Sequence, residues 1–324
     1  MAVEAARGVE PEELVSEGFG VAGKVITIAN MKGGVGKTAT VVALAEALAA
    51  DDVDAKILVI DLDAQANASS CLAGDGPLAA LIRDGQTIDG FLNDVLFKRK
   101  SRELDAYIRN YISTVTHRGH QLGIALLASS VELRRTETKI LYRLTRAKMS
   151  LDEIVEHLSM VMDRELGRAR RRFDYVLIDC GPGISILTEV TIRLADMVIV
   201  PTIPDALSTY GLQAFCNSIW SGELAEKSHF ESKPKARSPH VLITRRRQVE
   251  LHHRFAAMIR NEGSAKRPAF RVYETEIPES ADVAKALGSI DEPVPFSRKW
   301  GPQVVAVMRN LVDETKEILN VARH

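Results

Sequence analysis

Short apolar, β-branched runs alternate along this chain with longer stretches whose apolar residues recur at helical spacing. The first run, Lys24-Val25-Ile26-Thr27-Ile28-Ala29-Asn30-Met31, reads as a buried strand, and the alanine-rich stretch from Lys37 to Ala50 reads as a helix. Further strands are expected over Lys56–Ile60, Gly123–Leu127, Phe173–Asp179, Met197–Thr202, Val241–Thr244 and Val272–Pro278. Ser150-Leu151-Asp152-Glu153 is a capping box, opening a helix with an apolar stripe of Leu151, Ile154, Val155, Leu158, Val161 and Met162. A helix is expected from Asp205 to Glu226, and a C-terminal one carries Val304, Val307, Met308, Leu311, Val312, Ile318 and Leu319 in register. The alternation predicts an α/β fold, a doubly wound, mostly parallel sheet with helices on both faces. Between Asp75 and Gly123 the pattern decides little.

Length and composition narrow the setting. The 324 residues are 46% apolar, enough for a substantial core, and are read as a leader over residues 1–22 and one domain over 23–324. Formal net charge is −1, so any pull toward nucleic acid or a membrane must come from local patches. Cys71, Cys180 and Cys216 lie far apart, which argues against a disulfide framework, a zinc site or an iron–sulfur cluster and fits a reducing, cytoplasmic setting. The acidic N-terminus lacks signal-peptide order, and no apolar run approaches the roughly 18 residues that span a bilayer. No membrane partner is expected.

The chemistry concentrates in three places. Lys32-Gly33-Gly34-Val35-Gly36-Lys37-Thr38-Ala39 joins the first strand to the first helix. Glycines there let backbone N–H groups turn toward phosphate oxygens, the helix N-terminus adds partial positive charge, and Lys37 and Thr38 supply a cation and a Mg2+ ligand. The second strand ends in Asp61-Leu62-Asp63-Ala64-Gln65-Ala66-Asn67, with Asp61 and Asp63 on one side at the carboxyl end of the sheet. Two carboxylates aimed at one phosphate site repel each other unless Mg2+ or an ordered water lies between them; two solvated loop acids are the plainer reading. The third place is Phe173-Asp174-Tyr175-Val176-Leu177-Ile178-Asp179, a hydrophobic strand ending in a carboxylate fit to hold Mg2+ through water. Cys180 beside it reads as a small buried residue, not a nucleophile.

Met31 stands where the general phosphate-loop pattern has its first glycine, and Lys32 follows it. With this deviant Walker A pattern, the chain resembles the ParA/MinD family of ATPases over most of residues 24–322. The resemblance implies ATP and Mg2+ as ligands, Asp63 orienting the attacking water, Asp61 supporting the magnesium shell, and Pro278 walling the adenine. It also implies that Lys32 reaches across an ATP-made homodimer to the partner's nucleotide. Relatives read DLDPQGN and DCPPSLG where this chain has Ala64, Ala66, Gly181 and Gly183, which leaves the switch after Asp179 open to greater mobility. The leader is too short for the helix-turn-helix domain some relatives carry. No guanine-reading NKxD follows Thr244, so ATP is preferred to GTP.

Family members bind non-specific, nucleoid DNA through basic residues in their C-terminal part, and a ParB-like or cargo-adaptor protein stimulates their hydrolysis. The stretch from Lys227 to Arg271 is strongly basic, and Arg245, Arg246, Arg247 and Arg254 are its candidate DNA contacts; a solvated helix face is the alternative. Relatives often read IPRN followed by another arginine where this chain has Ile277-Pro278-Glu279-Ser280-Ala281-Asp282. The basic run Lys98-Arg99-Lys100-Ser101-Arg102 is a solvated loop or a second contact. A MinD-like membrane switch is disfavoured by the mixed charge of Asp313–His324, and a metabolic enzyme on the same scaffold would need a pocket that the sequence does not advertise.

Overall fold

The computed structural model describes residues 22–98, 102–220, 234–288 and 292–321. Nearly all of the expected leader, the middle of the Lys98–Arg102 run and the continuation of the Asp205 helix past residue 220 lie outside these.

In chain order the elements are β1 (Lys24–Asn30), α1 (Lys37–Asp51), β2 (Ile57–Leu62), α2 (Asn67–Ala73), α3 (Asp75–Arg83), α4 (Ile88–Phe97), β3 (Val115–His117), β4 (His120–Gln121) and β5 (Ile124–Leu127). They continue with α5 (Glu132–Arg146), α6 (Leu151–Ala169), β6 (Tyr175–Pro182), α7 (Ile186–Leu194), β7 (Met197–Thr202), α8 (Ala206–Trp220), β8 (His240–Arg246), α9 (Glu250–Gly263), β9 (Arg271–Pro278), α10 (Ala281–Ala286), β10 (Val294–Pro295) and α11 (Phe296–Val321). Seven strands form one sheet in the order β5-β2-β6-β1-β7-β8-β9, every neighbouring pair parallel. The short β10, β3 and β4 form a separate small sheet.

The period-two alternation of a strand sorts the core into two layers. Val25, Leu58, Ile60, Val176 and Ile178 pack with α4 to α9, whereas Ile26, Ile28, Ile57, Val59 and Leu177 pack with α1, α2, α3 and α11. Burial on both faces explains why these strands read as unbroken apolar runs. The odd positions of β2 and β6 that face α1 are occupied at their carboxyl ends by Asp61 and Asp179, which sit opposite each other in register. The order in which strands are added reverses about β1, which has β6 on one side and β7 on the other. Its carboxyl end is therefore the crevice where open α/β sheets hold ligands.

Two expectations change in detail. Leu151, at the head of the capping-box helix, is exposed, while Ile154, Val155, Leu158, Val161 and Met162 are buried. A side chain in the first turn projects beyond the layer that the rest of the stripe covers. The C-terminal helix is broken at Gly301, whose φ of 73° no helix accommodates, and Pro302 follows. Just before the break, Lys299 and Trp300 enter the core and meet Glu46 of α1. Lys299 Nζ lies 2.5 Å from Glu46 Oε1, and Trp300 Nε1 donates to Oε2 at 2.7 Å. All three are essentially sealed from solvent.

Candidate nucleotide site

The turn from β1 into α1 is built on two left-handed glycines, Gly34 (φ 73°) and Gly36 (φ 88°), a conformation L side chains resist. Gly36 occupies the N-cap of α1 and has no side chain to offer, so the first N–H groups of the helix face the crevice without a side-chain cap. An uncapped helix N-terminus is an anion site. Val35 anchors the loop through its carbonyl, which accepts from Thr244 Oγ1 at 2.7 Å, and Asn30 holds the far side by donating to the Pro201 carbonyl at 2.8 Å. Gly33 and Ala39 flank this cradle.

Lys37 is buried and its Nζ curls back onto the loop, donating to the carbonyls of Lys32 at 2.9 Å and Asn30 at 3.3 Å. Burial pushes its ammonium below the usual lysine range, an effect opposed by Asp179, the Cys180 thiol and Asp63. A cation held by dipoles alone has a strong preference for an arriving phosphate.

Opposite it stands the carboxylate group. Thr38 Oγ1 donates to Asp179 Oδ2 at 2.7 Å, while the other oxygen, Asp179 Oδ1, is buried without a partner. Burial and then the neighbouring Asp61 push the Asp179 carboxyl well above its ordinary range. Asp61 is pushed up to about 6, again by burial first. It is heavily engaged: Oδ2 accepts from Ser69 N at 2.9 Å and Ser69 Oγ at 2.7 Å, and Oδ1 accepts from Asp63 N at 3.0 Å. Asp61 thus fixes the start of α2 and the backbone of Asp63. Asp63 itself is half-buried, its Oδ1 accepting from Gln65 N at 2.9 Å.

The orphaned Asp179 oxygen and the Thr38 hydroxyl fit a hard cation that brings its own water and phosphate ligands, the habit of Mg2+. Among the described residues no cluster of His, Cys, Asp and Glu could hold a metal alone, which agrees with a cation shared with the nucleotide. Cys180 is buried and its thiol is pushed up to about 12 by burial, which rules out a thiolate nucleophile there.

Lys32 has partners the sequence did not suggest. Its Nζ donates to Ser208 Oγ at 2.8 Å and to Asp205 Oδ2 and Oδ1 at 3.1 and 3.3 Å. Asp205 also accepts from Ser208 N at 2.7 Å. Although burial acts the other way, the Ser208 and Lys32 bonds hold its carboxyl below the ordinary range. Within one protomer the second lysine therefore leans on its own α8. The opening of a helix by Asp-x-x-Ser was a visible capping signal; its use as a lysine dock was not.

Of the departures at 66, 181 and 183, only the one at 183 meets a backbone demand for glycine. Ala66, at the relatives' glycine, keeps a positive φ of 52°. A Cβ at Gly181 would stand 3.5 Å from Asp63 Cγ, ordinary contact distance. Gly183 has φ of 93° and donates its N–H to the Met31 carbonyl at 3.1 Å, tying the segment after Asp179 to the phosphate loop.

Arg245, Arg246 and Arg247, placed on DNA by the sequence, are ion-paired, although Arg245 and Arg247 stay exposed. Arg245 Nη2 bonds Glu279 Oε1 at 2.9 Å, Arg247 pairs with the same carboxylate, and Arg246 Nε meets Glu276 Oε2 at 3.0 Å. Hydrogen bonds from Arg247 and Arg245 hold Glu279 down at about 2. Arg245 Nη1 also donates to the Gly34 carbonyl at 3.2 Å, so it braces the phosphate loop. Arg254 remains exposed. Pro278 ends β9 in register with Arg246 and is half-buried. A cavity of about 840 Å³ opens at the opposite, amino-terminal edge of the sheet, lined by Lys24, His240, Arg271 and Glu317, away from all of this chemistry.

A family model described as an AAA domain matches residues 23–231, well over half of the chain. The chain belongs to the ParA/MinD family of ATPases. It is 25% identical over 197 residues to the sporulation initiation inhibitor protein Soj of Bacillus subtilis, covering 61% of this chain and 65% of that one. It is 28% identical over 264 residues to the chromosome partitioning protein ParA of Caulobacter vibrioides, covering 81% and 83%. The chain thus spans a little less than two thirds of Soj and most of the Caulobacter protein. The solved complex of a Cyanothece McdA variant with ATP superimposes with a TM-score of 0.63 at 18% identity, covering 92% of this chain and 98% of that one, a likeness of fold. Among the described residues of this ParA-like chain, no helix is long and apolar enough to cross a membrane.

Proposed function

We propose that the chain is an ATP-driven positioning switch that binds ATP with Mg2+, closes as a face-to-face dimer, binds non-specific DNA in that state, and is released when a ParB-like or cargo-adaptor partner stimulates hydrolysis. The observation that carries the nucleotide half is the pairing of an uncapped α1 N-terminus with a buried, unpartnered Asp179 Oδ1 across the Thr38 hydroxyl. One side asks for an anion and the other for a cation.

In this reading Lys37 and the loop N–H groups hold the phosphates, and Thr38 and Asp179 hold the magnesium, which neutralises phosphate charge. Asp63, its backbone fixed by Asp61, orients water for attack on the terminal phosphate. Catalysis by positioning and charge neutralisation gives slow intrinsic turnover, which leaves a partner something to accelerate. Lys32 must exchange Asp205 and Ser208 for the partner's nucleotide as the dimer closes. Exposed apolar side chains around the site, Met31, Ile184, Leu207 and Tyr210, support such closure.

Three variants test the reading in titrations with fluorescent ATP and in sizing experiments. Lys37→Ala abolishes nucleotide binding; Asp63→Ala gives a dimer that ATP locks; Lys32→Ala binds ATP without dimerising. A Lys32→Ala protein that dimerises and turns over like the parent removes the role given to that lysine. For the DNA half, binding that ignores the nucleotide, or is absent with ATP, ADP and neither, sinks the switch.

A further inference from the structure

Helix α5 was not singled out by the sequence, yet it carries several basic residues on one side. Leu133, Thr136 and Ile140 are buried, while Arg135 and Arg143 are exposed and Lys139, midway between them at i+4, is half-buried and donates to Asn93 Oδ1 at 2.5 Å. Like charges at that spacing destabilise a helix. Lys139 registers the crowding: burial, then Arg143 and Lys98, hold its ammonium below the usual range. Lys139 Nζ and the Arg143 guanidinium lie 4.6 and 5.0 Å from the centre of the Phe97 ring, and Arg146 lies 5.7 Å from that of Tyr142, which is 62% exposed. Arg135 has one solvent-exposed carboxylate, Glu132, at 3.3 Å. Among the described residues Arg143 and Arg146 have none.

From Arg135 to Arg146 the ridge runs about 16 Å, close to the rise of five nucleotides along one strand of a duplex.

We propose that Arg135, Arg143 and Arg146 on the exposed side of α5 form the contact with the phosphate backbone of duplex DNA. A line of cations that outnumbers its one nearby carboxylate, Glu132, matches a repeating polyanion, and the aromatic rings beside Arg143 and Arg146 fix their positions without reading sequence. The inference rests on the reading of the chain as an ATP-dependent DNA binder.

The test titrates the full chain with a short labelled duplex, in ATP and in ADP, at several salt concentrations. The triple variant Arg135→Ala/Arg143→Ala/Arg146→Ala is expected to lose about tenfold or more in affinity. Its log–log salt slope should fall by about 2 to 3, since each lost phosphate contact removes roughly 0.9. Its circular-dichroism spectrum should match the parent's. Parental affinity and slope in this variant overturn the α5 assignment while leaving the switch reading intact; a parent that binds DNA in no state overturns both. Preferential binding of poly-glutamate over the duplex overturns it in favour of an acidic protein partner.

Discussion

The end of β8 and the outer face of α5 are both rich in arginine, and they differ in where their carboxylates lie. Arg245, Arg246 and Arg247 are consecutive, yet Glu276 on the neighbouring β9 and Glu279 just after it close onto them. On α5 the cations are spread over three turns, and among the described residues Glu132 pairs with Arg135 while Arg143 and Arg146 have no carboxylate partner. Charge counted along the chain is thus a poor guide to field in space. A strand pair in parallel register neutralised the conspicuous cluster, whereas helical spacing collected a dispersed one onto a single face.

The comparison breaks most visibly at Glu279. Glu279→Ala frees Arg245 and Arg247 together, and DNA affinity should rise about tenfold, with a salt slope steeper by about 2, if two phosphate contacts are gained. No change in a salt-resolved DNA titration would mean that these arginines are committed to the phosphate loop whatever their counter-ion. Arg245→Ala/Arg247→Ala should, by contrast, change DNA affinity by less than about twofold, since an ion-paired arginine offers little to a polyanion. The same variant should weaken ATP several-fold, about 1 kcal/mol, because Arg245 no longer holds the Gly34 carbonyl.

Acid separates the two regions more gently. Burial raises the Glu137 carboxyl, so ionised Glu137 costs stability at neutral pH and that cost disappears as pH falls through its raised value. Glu279, held at about 2, contributes stability that is present above the ordinary glutamate range and lost as pH falls toward 2. In thermal unfolding of the nucleotide-free protein, Glu137→Gln should therefore raise the midpoint slightly at pH 8 and Glu279→Gln should lower it. Both differences should vanish in acid. Equal signs for the two would show that the carboxylates are not in opposed environments.

What was legible in the sequence follows from how local each signal is. The phosphate loop, Asp61, Asp63 and Asp179 were found because each sits inside a short run that ends a doubly buried strand. Helix α5 was invisible because its buried stripe is only Leu133, Thr136 and Ile140, too narrow to stand out from its charges. The contact of Lys32 with Asp205 spans 173 positions, and the pairing of Arg247 with Glu279 spans 32; neither has a local mark. Glycine at 183 read as added mobility, but its left-handed backbone and bond to Met31 make it a tether.

The clasp of Glu46 by Lys299 and Trp300 ties α1 to a distant part of the chain. A carboxylate in the middle of α1 is sealed in the core opposite a cation some 250 positions later in the chain. An unpaired buried charge costs several kcal/mol, so the helix that follows the phosphate loop owes its final packing to a residue far outside every nucleotide motif, and a chain cut before residue 299 would keep those motifs while leaving Glu46 without its cation.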